Sequence, residues 1–237
     1  MYTGPHIVED GLVLAIDAGS ARSYPGSGTA WNDLSSTASV YTLNNSPTFD
    51  SGNGGSFNFD GTDEFAATSS APIAASATAY SFEAVFKADT NSANQVVWEQ
   101  GTSTSVAGRR VCMLLTNTGK GGFNGQNADF HSSVDYSANV WYNWTITVDT
   151  TLSSNKIKIY VNGVLSAQGN PTGSGTLNAG ADGARVGNKL SNNTENFDGK
   201  IALVRAYNKV LTAAEVAQNY NAQKSRVLGE WEFFPKA

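Results

Sequence analysis

Trp144-Thr145-Ile146-Thr147-Val148-Asp149, Lys156-Ile157-Lys158-Ile159-Tyr160-Val161-Asn162-Gly163 and Phe197-Asp198-Gly199-Lys200-Ile201 decide the fold, together with the run that closes them, Leu203 to Glu215. Between Lys156 and Val161, apolar Ile157, Ile159 and Val161 alternate with Lys156, Lys158 and Tyr160, the period-two pattern of a half-buried strand. Asn162-Gly163 follows, and Val164-Leu165 resumes the apolar run. Both central residues of a type I′ turn need positive φ, which Asn and Gly tolerate best, so this dipeptide predicts a hairpin. Thr212-Ala213-Ala214-Glu215 has the spacing of a capping box, in which the Thr212 hydroxyl accepts the Glu215 backbone N–H and the Glu215 side chain reaches back. Leu211 and Val216 stand as a hydrophobic staple around that cap, and Val216 with Tyr220 would share the buried face of a short helix. It is the one helix the sequence predicts.

Working outward, Leu12 to Ile16 reads as a buried early strand and Ser56-Phe57-Asn58-Phe59 as an alternating one. Tyr80, Phe82, Ala84 and Phe86 share one face of a strand, as do Tyr142, Trp144, Ile146 and Val148. Gln95 to Glu99 and Arg110 to Leu115 read as further strands. Loops rich in Gly, Ser, Asn and Thr are expected over Gly119 to Gly125, Gly169 to Gly183 and Ser191 to Asn196. No Pro-rich linker or internal repeat divides the chain. Strands punctuated throughout by turns imply two facing antiparallel sheets around one core, a β-sandwich or jelly roll. The expected organisation is a single domain over 1–227 and a C-terminal tail, 228–237, docking on the sandwich or on a neighbouring subunit.

Composition narrows the function classes. The 237 residues carry 15 Lys+Arg against 20 Asp+Glu, a net charge of -5, too few cations for a surface that tracks phosphates, so no nucleic-acid partner is expected. A hydrophobic fraction of 40%, with 11% aromatic, suffices for a packed core. Cys112 is the one cysteine, so no intrachain disulfide forms, and its setting in Val111-Cys112-Met113-Leu114-Leu115 predicts a buried, inert thiol. The start, Met1 to His6, lacks the basic and apolar regions of a secretory signal, so no signal-peptide export is expected. Nothing approaches the roughly 20-residue apolar run of a membrane span.

The opening Asp10-Gly11-Leu12-Val13-Leu14-Ala15-Ile16-Asp17-Ala18, the loop Ser23 to Gly28 with Trp31-Asn32-Asp33-Leu34, and Asn53 to Asp63 resemble a laminin-G-like type frequent in tailed-phage virion proteins. Trp144, Tyr160-Val161-Asn162-Gly163 and Phe197 to Tyr207 resemble the wider concanavalin A-like lectin/glucanase superfamily. The resemblance spans nearly the whole chain. It implies an all-β, two-sheet antiparallel jelly-roll sandwich with one short C-terminal helix. Its implications for function are broad, since sugar binders, adhesion modules, glycosidases, lyases and structural domains share the fold.

The chemistry of those classes can be sought residue by residue. Retaining glycoside hydrolysis needs two carboxyls about 5–5.5 Å apart. The glucanases of the superfamily supply them from a Glu-x-Asp-x-x-Glu strand, which is absent here. The nearest pieces, Glu195-Asn196-Phe197-Asp198 and Glu230-Trp231-Glu232, have the wrong period or no third partner. His131 and Arg109-Arg110 are the residues a lyase could draw on, and they read as surface or core decoration. Relatives often hold a structural Ca²⁺ through the Asp of Gly-x-Ile-Asp-x-Val-Arg-x-Tyr; this chain has Gly199-Lys200-Ile201-Ala202-Leu203-Val204-Arg205-Ala206-Tyr207. With Ala202 in the carboxylate's place, no metal and no cofactor are expected. Glycan binding would use aromatic faces and polar anchors, and the candidates are Trp98, Trp31, Tyr41 and Trp141.

The sequence therefore predicts a non-enzymatic structural or accessory protein of a phage virion: a capsid decoration, fibre or tail appendage. Its expected partners are other virion proteins, copies of itself in a symmetric oligomer, and cell-surface polysaccharide. It would assemble in the host cytoplasm and reside in the virion, without membrane contact. A free-standing bacterial carbohydrate-binding or adhesion module is the alternative, and a glycan-active hydrolase or lyase the third reading.

Overall fold

The computed structural model describes residues 6–75, 77–102 and 109–227. The expected tail, 228–237, with its Glu230 and Glu232, lies outside the described residues. Two eight-stranded sheets face each other. The first runs β14 (Val164–Gly169), β13 (Ile157–Val161), β12 (Trp141–Asp149), β7 (Ala79–Ala88), β16 (Asp198–Tyr207), β5 (Ser56–Asp60) and β4 (Thr48–Asp50), and β1 (Leu12–Asp17) also pairs with β16. The second runs β11 (Phe130–Asp135), β10 (Lys120–Asn124), β9 (Arg110–Leu115), β8 (Gln95–Gly101), β15 (Gly183–Val186), β6 (Phe65–Thr68), β3 (Val40–Asn44) and β2 (Ala30–Asn32). The ladders are antiparallel, and their crossovers between sheets make the jelly-roll sandwich that the turn-punctuated strands predict.

Alternation turns one face of each strand inward. Tyr80, Phe82, Ala84 and Phe86 of β7, with Trp144, Ile146 and Val148 of β12, meet Trp98, Val111 and Met113 of the second sheet in one cluster. Rings interlock across the gap: Phe82 and Trp98 lie 5.3 Å apart, and Trp31 meets Phe57 edge-on at 4.8 Å. The stretch Gly119 to Gly125, expected as a loop, is instead largely strand β10. Its glycines are there for packing. A Cβ on Gly121 would come within 2.7 Å of the Leu114 carbonyl and 2.9 Å of the Trp144 ring, and one on Gly122 within 2.7 Å of Ile159 Cδ1 and closer still to the Phe130 carbonyl. The large side chains of the first sheet thus occupy room that the second sheet leaves bare.

The hairpin and the helix form as their local chemistry dictates. Asn162 and Gly163 adopt φ of 50° and 80°, and β13 pairs with β14 through them. Helix α1 (Ala213–Val227) opens on the capping box: Thr212 Oγ1 accepts the Glu215 N–H at 3.2 Å and the Glu215 carboxylate accepts the Thr212 N–H at 2.8 Å. Leu211 and Val216 are buried with Val8, Tyr160 and Tyr207, which seats α1 on the outer face of the first sheet. Tyr220 is only half-buried. Asn219 and Gln223 take the interior positions further along the helix.

Candidate functional site

Of the four aromatic residues expected to present a ring to a sugar, three are core side chains. Trp31, Tyr41 and Trp98 have no exposed surface, so none offers a face for stacking. Burial raises the Tyr41 hydroxyl well above the usual tyrosine range. Trp141 alone is half-buried, packed against Val85, Ala202 and Leu203. The structure therefore does not assemble these four into a binding platform. Their sequence signal was hydrophobic bulk, and bulk in a sandwich is first used to fill the interior.

The outer face of the second sheet holds a carboxylate pair that the sequence pattern did not connect. Arg110 Nε donates to Glu99 Oε2 at 2.6 Å, Nη1 to Asn124 Oδ1 at 2.9 Å and Nη2 to Glu195 Oε2 at 2.7 Å. Glu99 and Asn124 come from strands on either side of β9, whereas Glu195 arrives on the segment that follows β15. That segment is pinned down by the Val96 N–H on the Glu195 carbonyl and by the Leu190 N–H on Glu99 Oε1. Lys189 Nζ completes the group at 3.2 Å from Glu195 Oε1. Arg110, expected as decoration, is thus the hub of a buried ionic network. Burial works to raise the Glu195 carboxyl, yet Arg110 and Lys189 outweigh it and hold Glu195 below the usual carboxylate range.

Two glutamates on one guanidinium are brought together in space, but not in a state suited to glycosidase chemistry. A nucleophilic carboxylate must be free to attack, and its partner must hold a proton. Here both carboxylates are committed to the same cation, and Glu99 is only 2% exposed. Cys112 lies directly opposite Glu99 in the ladder, buried as expected, its thiol pushed up by desolvation.

A second arginine forms a different arrangement on the outer face of the first sheet. Arg205 of β16 stands opposite Glu83 of β7 in the ladder, and its Nη1 donates to Glu83 Oε1 and to Gln223 Oε1 of α1, both at 2.7 Å. Asn219 donates to the Tyr207 hydroxyl at 2.9 Å and to Glu83 at 3.3 Å, and accepts the Val8 N–H at 2.8 Å. Burial opposes the Arg205 charge and Glu83 outweighs it, so its pKa is raised further. Arg205 also lines a cavity of about 490 Å³ beside β1, with Leu12, Asp17, Arg22, Leu34 and Ser35 among its other walls. Asp17 Oδ1 accepts from Arg226 Nη1 and from the Gly19 N–H, each at 2.9 Å. The sequence carried a signal for this pair: Glu83 and Arg205 interrupt two long apolar strands on the faces opposite their core residues.

Among the described residues no three His, Cys, Asp or Glu side chains converge. Ala202, in the place where the resemblance implies an Asp, is buried in an apolar patch with Val85 and Leu203 and brings no carboxylate there. A smaller hollow of about 220 Å³ lies by Asp129, His131 and Thr172, with His131 Nε2 3.9 Å from Asp129.

Comparison with known proteins places these features in a family context. The profile of a laminin-G-like group within the concanavalin A-like lectin/glucanases superfamily matches residues 59–217. No curated protein matches the sequence. Among solved structures, Trypanosoma rangeli sialidase in complex with the inhibitor DANA superposes with a TM-score of 0.65 at 13% identity, over 92% of this chain and 34% of the sialidase. The chain thus spans about a third of the length of that enzyme. Domain 4 of AbnA, an extracellular arabinanase of Geobacillus stearothermophilus, in complex with arabinotriose, gives a TM-score of 0.59 at 13% identity, over 90% of this chain and 100% of the domain. At such identities the likeness is one of fold.

Proposed function

Because the chain belongs to the concanavalin A-like lectin/glucanases superfamily, we propose that it is a non-catalytic glycan-binding module that works as an adhesion or display domain. The observation that carries this reading is the cavity beside β1. It combines apolar walls from Leu12 and Leu34, which suit the C–H face of a sugar ring, with hydroxyl, carboxylate and guanidinium groups that suit its oxygens. A domain of the same fold in complex with arabinotriose is a precedent for oligosaccharide binding on this scaffold. Arg110 neutralises the paired carboxylates Glu99 and Glu195, which supports a non-catalytic role. Resemblance of the N-terminal half to tailed-phage virion proteins supports a virion setting, as capsid decoration, fibre or tail appendage.

A polysaccharide array probed with the full chain, paired with a reducing-end assay on the same glycans, tests the molecular part. Retention on at least one glycan without release of reducing ends is expected. Steady release of reducing ends, or no retention anywhere, would overturn it. Mass spectrometry of purified particles tests the setting, and absence of the chain from them would remove the virion assignment.

A further inference from the structure

We infer that the sugar taken by the cavity beside β1 carries a carboxylate, held between Arg205 and Arg22; this rests on the glycan-binding reading above. Arg205 supplies a guanidinium that the sheet holds in place. Its side chain is 7% exposed, and its hydrogen bonds to protein all leave from Nη1, to Glu83 and Gln223. The Nε–Nη2 edge has no acceptor among the described residues, and Arg205 borders the cavity. Neither Nε nor Nη2 is sealed from solvent, so water or an anion can meet that edge. Arg22 stands on the wall of the same cavity, exposed and without a protein partner among the described residues. Two cationic groups therefore face one space, one of them fixed rigidly by the sheet beneath.

The remaining walls select among anions. Asp17 and Glu9 also border the cavity, and Glu9 has no counter-ion among the described residues. A phosphate dianion would meet their repulsion, whereas a single-charged carboxylate on a sugar would match the planar fork of Arg205 and turn hydroxyls toward Asp17 and Glu9. Ile7, Leu12 and Leu34 supply the apolar side for the ring. The volume of about 490 Å³ lies within the range of small-ligand sites. A uronate and a sialate both present this chemistry.

Calorimetric titration of the full chain with tri-galacturonic acid, its methyl ester, 3′-sialyllactose and lactose separates the sources and the charge. The expected result is binding of at least one acidic probe, with its neutral counterpart roughly ten-fold weaker or worse. Arg22→Gln should weaken the acidic probe by a similar factor at unchanged Tm, because that side chain makes no bond to protein among the described residues. Arg205→Lys, which keeps a cation beside Glu83 but removes the fork, should do the same; if it fails to fold, Arg22→Gln alone decides. Equal binding of acidic and neutral probes with Arg22→Gln unaffected overturns the carboxylate and leaves the glycan reading standing. Binding of neither acidic probe also overturns it, and silence on the polysaccharide array as well would take the glycan reading with it.

Discussion

Arg110 and Arg205 are the same residue type on the outer faces of two facing sheets, and both are nearly inaccessible to solvent. They differ in how much of the guanidinium the protein uses. Around Arg110 every nitrogen donates: Nε to Glu99, Nη1 to Asn124 and Nη2 to Glu195. Around Arg205 only Nη1 does among the described residues, and the residue lines a cavity. A buried cation engaged at every nitrogen is a structural hub, with little left to offer a ligand. A half-satisfied one keeps donors in place without committing them, which is what a preorganised site requires. Burial and charge are alike in the two, so it is the free edge that separates scaffold from candidate site.

The contrast can be broken most forcefully at Arg110. Arg110→Met leaves Glu99, 2% exposed, without its counter-ion, and should cost about 3–5 kcal/mol in urea denaturation. Adding Glu99→Leu and Glu195→Leu should restore most of that loss, since a packed apolar replacement of a buried ionic group is often neutral or better. If the triple variant stayed as unstable as the single one, the network would have a role beyond mutual neutralisation. The Arg205 side can be probed through its supports. Asn219→Leu strips the acceptor from the Val8 N–H and donors from Tyr207 and Glu83, and should cost about 1–3 kcal/mol. Its signature would be faster amide exchange at Val8 and in α1, with the Arg110 network unaffected; protection lost equally at both faces would contradict their independence.

The smallest expected effect is on pH dependence. Glu195 has a folded pKa below its ordinary value, so it contributes stability fully above the unfolded value. That contribution is lost as the pH falls through the lower folded value. Tm followed from neutrality into the acid range should therefore drop, and Glu195→Gln should flatten the part of the drop that belongs to this carboxyl. An unchanged profile in Glu195→Gln would show that other carboxylates, such as Asp50 on Lys200, carry the acid sensitivity.

Legibility in the sequence followed the range of the interaction. The Asn162-Gly163 turn and the Thr212 to Glu215 cap could be read because each is settled within four residues by φ preference and side-chain reach. Strand β10 differs from the loop expected because what excludes a side chain at Gly121 and Gly122 is remote in sequence: the Leu114 and Phe130 carbonyls on the neighbouring strands, and Trp144 and Ile159 on the other sheet. Trp31, Tyr41 and Trp98 were offered as sugar platforms because a sequence records how large a ring is and not which way it faces. Arg110 was passed over because its partners lie 11, 14 and 85 residues away.

By itself the sequence determined the all-β sandwich, its hairpin, its capped helix and its superfamily, because alternation, turn chemistry and capping act over a few residues and repeat along the chain. Only the tertiary structure decided which charges became hubs and which kept a free edge. Ion pairs and cavities are set by where distant strands and loops meet, and by which of their atoms remain without a partner once they have met.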